Sequence, residues 1–178
     1  KGFGAKKTLD IWWVNLDEYC ELSLHLSKLM NSSANWNQMQ IRILFNNLDN
    51  STHDYVERII EQKCEKNRVN AEIVVVNNEL ERKSLYELVR KYSIDTDLIF
   101  LELPRIDKGE EGSFVTRTNH LLTDIGTTLL IRASSHFYED INLDPVLQKE
   151  YIEMQSKIEL DKKSVDFMAK SSAFAAVN

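Results

Sequence analysis

The side chains best able to do chemistry in this 178-residue chain form a few small groups. Two acidic pairs, Asp17/Glu18 and Glu110/Glu111, could bind a cation or a basic peptide, or stand as solvated loop residues. Gly109 and Gly112 flank the second pair. A phosphate turn of the universal-stress type needs glycines there, but two glutamates beside an anion repel it. A dinucleotide turn needs G-x-G-x-x-G after the first strand, where the chain reads Asn15-Leu16-Asp17-Glu18-Tyr19, and no Walker loop occurs. A phosphoacceptor domain needs an aspartate after its third strand and a lysine after its fifth; Asn77-Asn78 and Ala133-Ser134 stand in those places. His25, His53, His120 and His136 are scattered, and none pairs with another ligand at zinc-like spacing. Cys20 and His25, five apart, share a helical face poorly. Ser134, Ser135 and His136 are the one nucleophile-and-base cluster, yet neighbours on an extended chain point to opposite faces. An enzyme would have to be built on Asp17, Glu102 or His136. The residues therefore predict a non-catalytic chain with no catalytic, cofactor-binding or metal-ligating set.

Composition narrows the partners. The chain is long enough for one sizeable core and short for two domains. Hydrophobic residues make up 43% and charged residues 28%, the balance of an ordinary globular protein. A net charge of −6 argues against a general nucleic-acid binder, which needs a clustered basic surface. It also argues against an anionic membrane surface. No run approaches the ~20 apolar residues that span a bilayer, so direct membrane insertion is not expected. Cys20 and Cys64 are too few for a disulfide framework and sit among apolar helical positions, as buried free thiols of a reducing compartment would. The sequons at Asn31 and Asn50 are then chance matches. A start at Lys1 with no signal peptide suggests a piece of something longer.

The elements that must position these residues are legible as five apolar runs: Leu9–Val14, Ile41–Phe45, Ile73–Val76, Leu98–Leu103 and Thr128–Ile131. Runs apolar at consecutive positions suit strands covered on both faces. Helical stripes alternate with them. Leu22, Leu26, Leu29 and Met30 make the first, and Val56, Ile59, Ile60 and Cys64 the second. Leu85, Leu88, Val89 and Tyr92 follow, opened by a Ser84/Glu87 capping box. Phe114, Thr118, Leu121, Leu122 and Ile125 close the series, with Ser113 as a cap and Gly126 as a left-handed stop. Strand and helix repeated in this way predict an α/β three-layer, doubly wound sandwich. Its five-stranded, mostly parallel sheet is expected in the order 3-2-1-4-5, with 2-1-3-4-5 the rival. The crevice where the order reverses would lie between the loops Asn15–Tyr19 and Pro104–Ser113. Asp144-Pro145 then starts a further helix with Leu147, Tyr151, Met154 and Ile158 at steps of four and three. The predicted layout is a linker over 1–7, the α/β domain over 8–136, a helical extension over 137–170 and a tail over 171–178.

Four segments carry a family resemblance. Lys7-Thr8-Leu9-Asp10-Ile11-Trp12-Trp13 resembles the "K-T-[IL]-D-[IV]-W-W" strand of the cytosolic carboxy-terminal domain of the cation–chloride cotransporters. Trp36 through Ile43, including Met39, Ile41 and Arg42, is similar to the family's approach to strand two. Asp97 through Pro104 is similar to its "D-L-[VI]-[FL]-[LI]-x-[LM]-P" strand, and Thr127–Arg132 to its last strand. Together these cover residues 6 to 135. The chain departs from the family at Asp17-Glu18-Tyr19-Cys20-Glu21-Leu22, where members carry "D-G-G-L" or similar, and its final helix has no counterpart. The resemblance implies a soluble regulatory domain on the cytoplasmic face of the cell membrane, fused behind a transmembrane bundle that moves cations with chloride. It implies dimerisation and control of transport, with the transport residues in the bundle. Lys1, Lys6 and Lys7 fit a basic juxtamembrane tether.

Overall fold

The computed structural model of the protein describes residues 4–134. The chain runs β1 (Thr8–Trp13), α1 (Glu18–Asn31), β2 (Gln40–Asn47), a 3-10 turn (Asn50–Thr52), α2 (His53–Asn67), β3 (Glu72–Asn77), α3 (Leu85–Ser93), β4 (Leu98–Glu102), α4 (Glu111–Asp124) and β5 (Thr127–Ile131). All four strand pairings are parallel, and the sheet order is β3-β2-β1-β4-β5. The doubly wound reading and its preferred order are what the structure has. The helix and tail expected over 144–178, and the predicted linker as far as residue 3, lie outside the described residues.

Alternation along the strands sorts the core into two layers. Trp12, Leu44, Val76, Ile99 and Leu101 face α3 and α4, where Leu88, Val89, Leu121 and Ile125 meet them. Trp13 points the other way, and its Nε1 donates to Ser23 Oγ on α1 at 3.0 Å. Trp12 Nε1 donates to Ser93 Oγ on α3 at 2.9 Å, so each indole buries its ring and still satisfies its one donor. Tyr92 packs edge-on against Trp12 with centroids 6.2 Å apart.

Three local expectations are corrected. The buried face of α1 is Tyr19, Cys20, Glu21, Ser23, Leu24 and Ser27, not the stripe Leu22–Leu26–Leu29–Met30, and Leu29 is 69% exposed. Small serines let α1 lie close on the sheet, and their hydroxyls turn back to the carbonyls of Cys20 and Leu24 or accept from Trp13. Ser113 does not cap α4, which starts two residues earlier with Glu110 at the cap position. Gly126 is not in the left-handed region; α4 ends on an extended Ile125. Its need for glycine is space, because a Cβ there would stand 2.2 Å from the Thr96 carbonyl oxygen. The capping box of α3 is present as read, with Ser84 N and Glu87 N exchanging bonds with the opposite side chains.

Most polar residues inside this core are paired, the hydroxyls of Tyr19 and Thr118 being exceptions. Glu21 and Lys63, 2% and 3% exposed, join α1 to α2 at 2.8 Å, and Asn67 Nδ2 donates to the second Glu21 oxygen. Lys63 and Asn67 together outweigh the burial that opposes ionisation, so the Glu21 carboxyl lies below its ordinary value.

Asp10, fully buried in the central strand, lies in register with Arg42 of β2. Arg42 grips both its oxygens, Nε to Oδ1 at 2.8 Å and a terminal nitrogen to Oδ2 at 2.7 Å. Thr96 Oγ1 adds a 2.7 Å bond to Oδ2, and Arg42 also reaches the Tyr92 carbonyl oxygen. Removing Arg42 leaves a buried carboxylate short of a counter-charge. Arg42→Ala is expected to lower the unfolding free energy by ~3–5 kcal/mol in urea titration, and Asp10→Asn with Arg42→Ala by less than the sum of the two single losses.

Candidate functional site

In a doubly wound sheet the crevice for ligands opens beyond the carboxyl ends of the strands, where the order reverses. Here that point lies between β1 and β4. Strand β4 ends on Glu102, which is half-buried. The segment after β1 delivers Asp17 as the N-cap of α1, its carboxylate accepting from Tyr19 N at 3.1 Å, and Glu18 as the first helical residue. Arg132 follows β5 on the far side. The mouth is acidic by construction.

Electrostatics reflect this crowding. Burial, then the charges of Asp17 and Glu18, push the Glu102 carboxyl up to about 7, against a smaller pull from Arg132. Asp17 is also raised, by burial and by Glu18, although its bond from the Tyr19 amide and the charge of Lys63 oppose the shift. Tyr19, the second residue of α1, is 2% exposed. Its hydroxyl makes no hydrogen bond among the described residues. Burial and the neighbouring Cys20, Glu102 and Asp17 hold its proton on well above the usual range.

Among the described residues the other candidates do not assemble into a reactive set. Gly109 carries a positive φ of 96°, but its amide donates at 2.8 Å to the Glu111 carboxylate, the chain's own anion. Gly112 lies in the first turn of α4 with open space around it. Glu110 and Glu111 are exposed. Cys20 is fully buried with Sγ on the Asn15 carbonyl oxygen at 3.1 Å, and burial raises its thiol far out of the reactive range. Cys64 is also free and buried, and burial lifts its thiol to about 12. It lines an open groove of about 550 Å³ at the other end of the sheet, with Arg68, Val69 and Ile73. His25 Nδ1 bonds the Glu21 carbonyl oxygen at 2.8 Å and His53 Nδ1 the Asn77 side-chain oxygen at 3.2 Å. His120 stands exposed on α4. Ser134 is exposed beyond β5, and Ser135 and His136 lie outside the described residues. Among the described residues no three His, Cys, Asp or Glu side chains gather as a metal site would require. Nor is any described helix long and apolar enough to cross a membrane.

Sequence reasoning passed over two features. An asparagine cluster closes the ends of β2 and β3: Asn78 Nδ2 donates to Asn46 Oδ1 at 3.0 Å and to the Lys83 carbonyl oxygen at 2.8 Å, and Thr52 donates to Asn47. Four asparagines at two strand ends were the available signal. At the opposite end Asp97 accepts from Ala5 N, Lys7 N, Thr8 N and Thr8 Oγ1, and returns its own amide to Thr8 Oγ1. Those bonds to the Lys7, Ala5 and Thr8 amides keep the Asp97 carboxyl below its ordinary range.

Because Glu102 binds its proton more tightly in the folded chain than in the unfolded one, its ionisation works against folding. That loss is absent below the ordinary glutamate range, grows as pH rises, and is complete above about 7. Glu102→Gln should therefore raise the melting temperature at pH 8 and leave it nearly unchanged at pH 4.5. The gain should be about 1 kcal/mol, since water screens the exposed half of the side chain. Thermal melts at the two pH values check this.

No protein-family model matches the chain, and no curated protein does. Among solved structures, the crystal structure of a universal stress protein in complex with cAMP is similar. The two superpose with a TM-score of 0.48 at 11% identity, covering 72% of this chain and 98% of that one.

Proposed function

We propose that this domain is the regulatory and dimerising cytosolic domain of a cation–chloride cotransporter-like protein, working without catalysis at the cytoplasmic face of the membrane. The observation that carries the reading is how the residues behind the resemblance connect. Asp10 of the first motif and Arg42 of the second form one bidentate buried pair. Asp97 of the third motif seizes the backbone just ahead of the first. A mechanical module needs such wiring. Any segment preceding β1 is fixed at Ala5–Thr8 to the body of the sheet, so a transmembrane bundle placed there would feel the domain's pairing as a displacement.

The domain should therefore run as a dimer in light scattering at tens of micromolar, and the coding sequence upstream of Lys1 should encode membrane-spanning segments. A monomer at that concentration removes dimerisation from the proposal. An upstream sequence without such segments removes the cotransporter.

A second reading is a universal-stress-type sensor of a nucleotide or other small ligand. Its support is the mouth itself, a polar crevice at the point of strand reversal. The carboxylates of Asp17, Glu18 and Glu102 oppose the nucleotide form. Calorimetry with ATP, AMP and cAMP is expected to show no binding below about 100 µM, a range in which a dedicated nucleotide site would saturate. Micromolar binding of any of them would favour the sensor over the mechanical module.

A further inference from the structure

We propose that the outer edge of β3 is a self-pairing surface, to which a second copy of this chain adds its own β3, antiparallel, about a two-fold axis at Val75. This deepens the dimerising part of the reading above and rests on it, but it needs no cotransporter.

Strand β3 ends the sheet, and among the described residues no strand pairs with its outer side. The parity of the ladder decides which groups face outward. Asn78 N donates to Asn47 O at 2.7 Å, so the peptide groups of Asn78, and by alternation those of Val76 and Val74, point to β2. Those of Ile73, Val75 and Asn77 therefore point away from the sheet. The strand carries none of the devices that usually blunt an edge: it holds no proline and no lysine, and its one charge is Glu72 at its first position. Ile73, Val74 and Val75 are each only half-buried, and Leu80, three residues past the strand, is 91% exposed. A further strand would cover this apolar surface.

Symmetry narrows the register. Two residues that exchange both ladder bonds must both face outward, and an axis at Val75 uses all three outward residues. Val75 then pairs with the partner's Val75, and Ile73 with the partner's Asn77. Val74 stands opposite the partner's Val76 and Glu72 opposite the partner's Asn78, so no like charges meet. The flanking helix fits the same axis. His53, at the start of α2, bonds the Asn77 side chain at 3.2 Å, while the last turns of α2 line the open groove with Ile73. Helix α2 thus runs opposite to β3, and the two-fold brings its end toward the start of the partner's α2. Arg68, exposed at that end, comes to the side of the partner's Asp54, exposed in the first turn. Opposite charges and opposite helix ends meet, once in each direction. A copy of the chain supplies this complement by symmetry.

The experiment is sedimentation equilibrium of the full chain and three variants at Val75. Val75→Pro removes one outward N–H and leaves the ladder to β2 intact, because Val75 does not donate there. Val75→Lys sets a charge at the centre of the edge. Both should weaken self-association about tenfold or more, with thermal melts close to those of the parent chain measured where the parent is monomeric. Val75→Cys sets two thiols on the axis, with Cα atoms ~5.5 Å apart, within disulfide reach. Mild oxidation should convert it to a covalent dimer, and should not do so for Val115→Cys on the exposed side of α4. If Val75→Pro fails to fold, Val75→Lys and the disulfide decide. A parent dimer that survives the proline and lysine variants, or yields no disulfide at position 75, has its interface elsewhere and overturns the β3 assignment alone. A parent chain that stays monomeric overturns dimerisation and this pairing together, and leaves the edge to a strand of another protein.

Discussion

A carboxylate with no exposed surface in the middle strand of a parallel sheet is tolerable only when its charge is met on every side. Asp10 is in that position, and the fold is arranged to meet it. Arg42 arrives from β2 in direct register, and Thr96 arrives from the turn before β4. The Tyr92 carbonyl of α3 accepts from the same guanidinium, so one buried charge gathers the central strand, both its neighbours and a helix. A slip of one residue in the β1–β2 pairing would set Asp10 opposite an isoleucine and carry every other side chain to the wrong layer. The hydrophobic effect supplies the bulk of the folding energy here, but it does not choose register with this sharpness.

The same device recurs at the ends of the sheet with different chemistry. Asp97 ties the approach to β1 onto the start of β4. Asn46, Asn47 and Asn78 close the far ends of β2 and β3, where parallel strands leave backbone groups without ladder partners. The Glu21–Lys63–Asn67 group fastens α1 to α2 on one face. Each group is satisfied internally, in contrast to the buried Tyr19 hydroxyl, Thr118 hydroxyl and Arg90 Nε, which make no hydrogen bond among the described residues.

The backbone of this architecture was legible in the sequence because consecutive apolar runs such as Leu98–Leu101 and helix starts such as Ser84–Glu87 obey local rules. Parallel pairing followed from the alternation of the two, while the order 3-2-1-4-5 was preferred over 2-1-3-4-5 and is decided by the structure. Side-chain orientation on α1 was not legible, because Leu22, Leu26 and Leu29 make the more apolar stripe and only contact with the sheet shows that small serines occupy the inner face. Gly126 was misread for a related reason: glycine after a helix usually signals a left-handed stop, while here it answers the carbonyl of Thr96, thirty residues earlier. The acidity of the mouth could be seen as Asp17-Glu18. That Glu102 and Tyr19 join it depends on β1 and β4 being neighbours, a long-range fact that no local pattern encodes.

The mouth also explains why a fold so often used to hold phosphates is poorly suited to one here. Anion sites in doubly wound sheets exploit the free amides and positive dipole at helix N-termini. Among the described residues all four α-helices place an acidic residue in the first turn: Glu18, Asp54, Glu87 and Glu111. Asp17 occupies the Tyr19 amide at the start of α1, and Glu111 occupies the Gly109 amide ahead of α4. A carboxylate that caps a helix consumes the same N–H groups and the same potential that a phosphate would need. At α1, stabilising the helix in this way and binding an anion at its N-terminus compete for the Tyr19 amide, whereas α4 has no side-chain cap and opposes an anion only through the acidic residue of its first turn. What remains at the strand reversal is the negative potential of Asp17, Glu18 and Glu102, which works against an anion there.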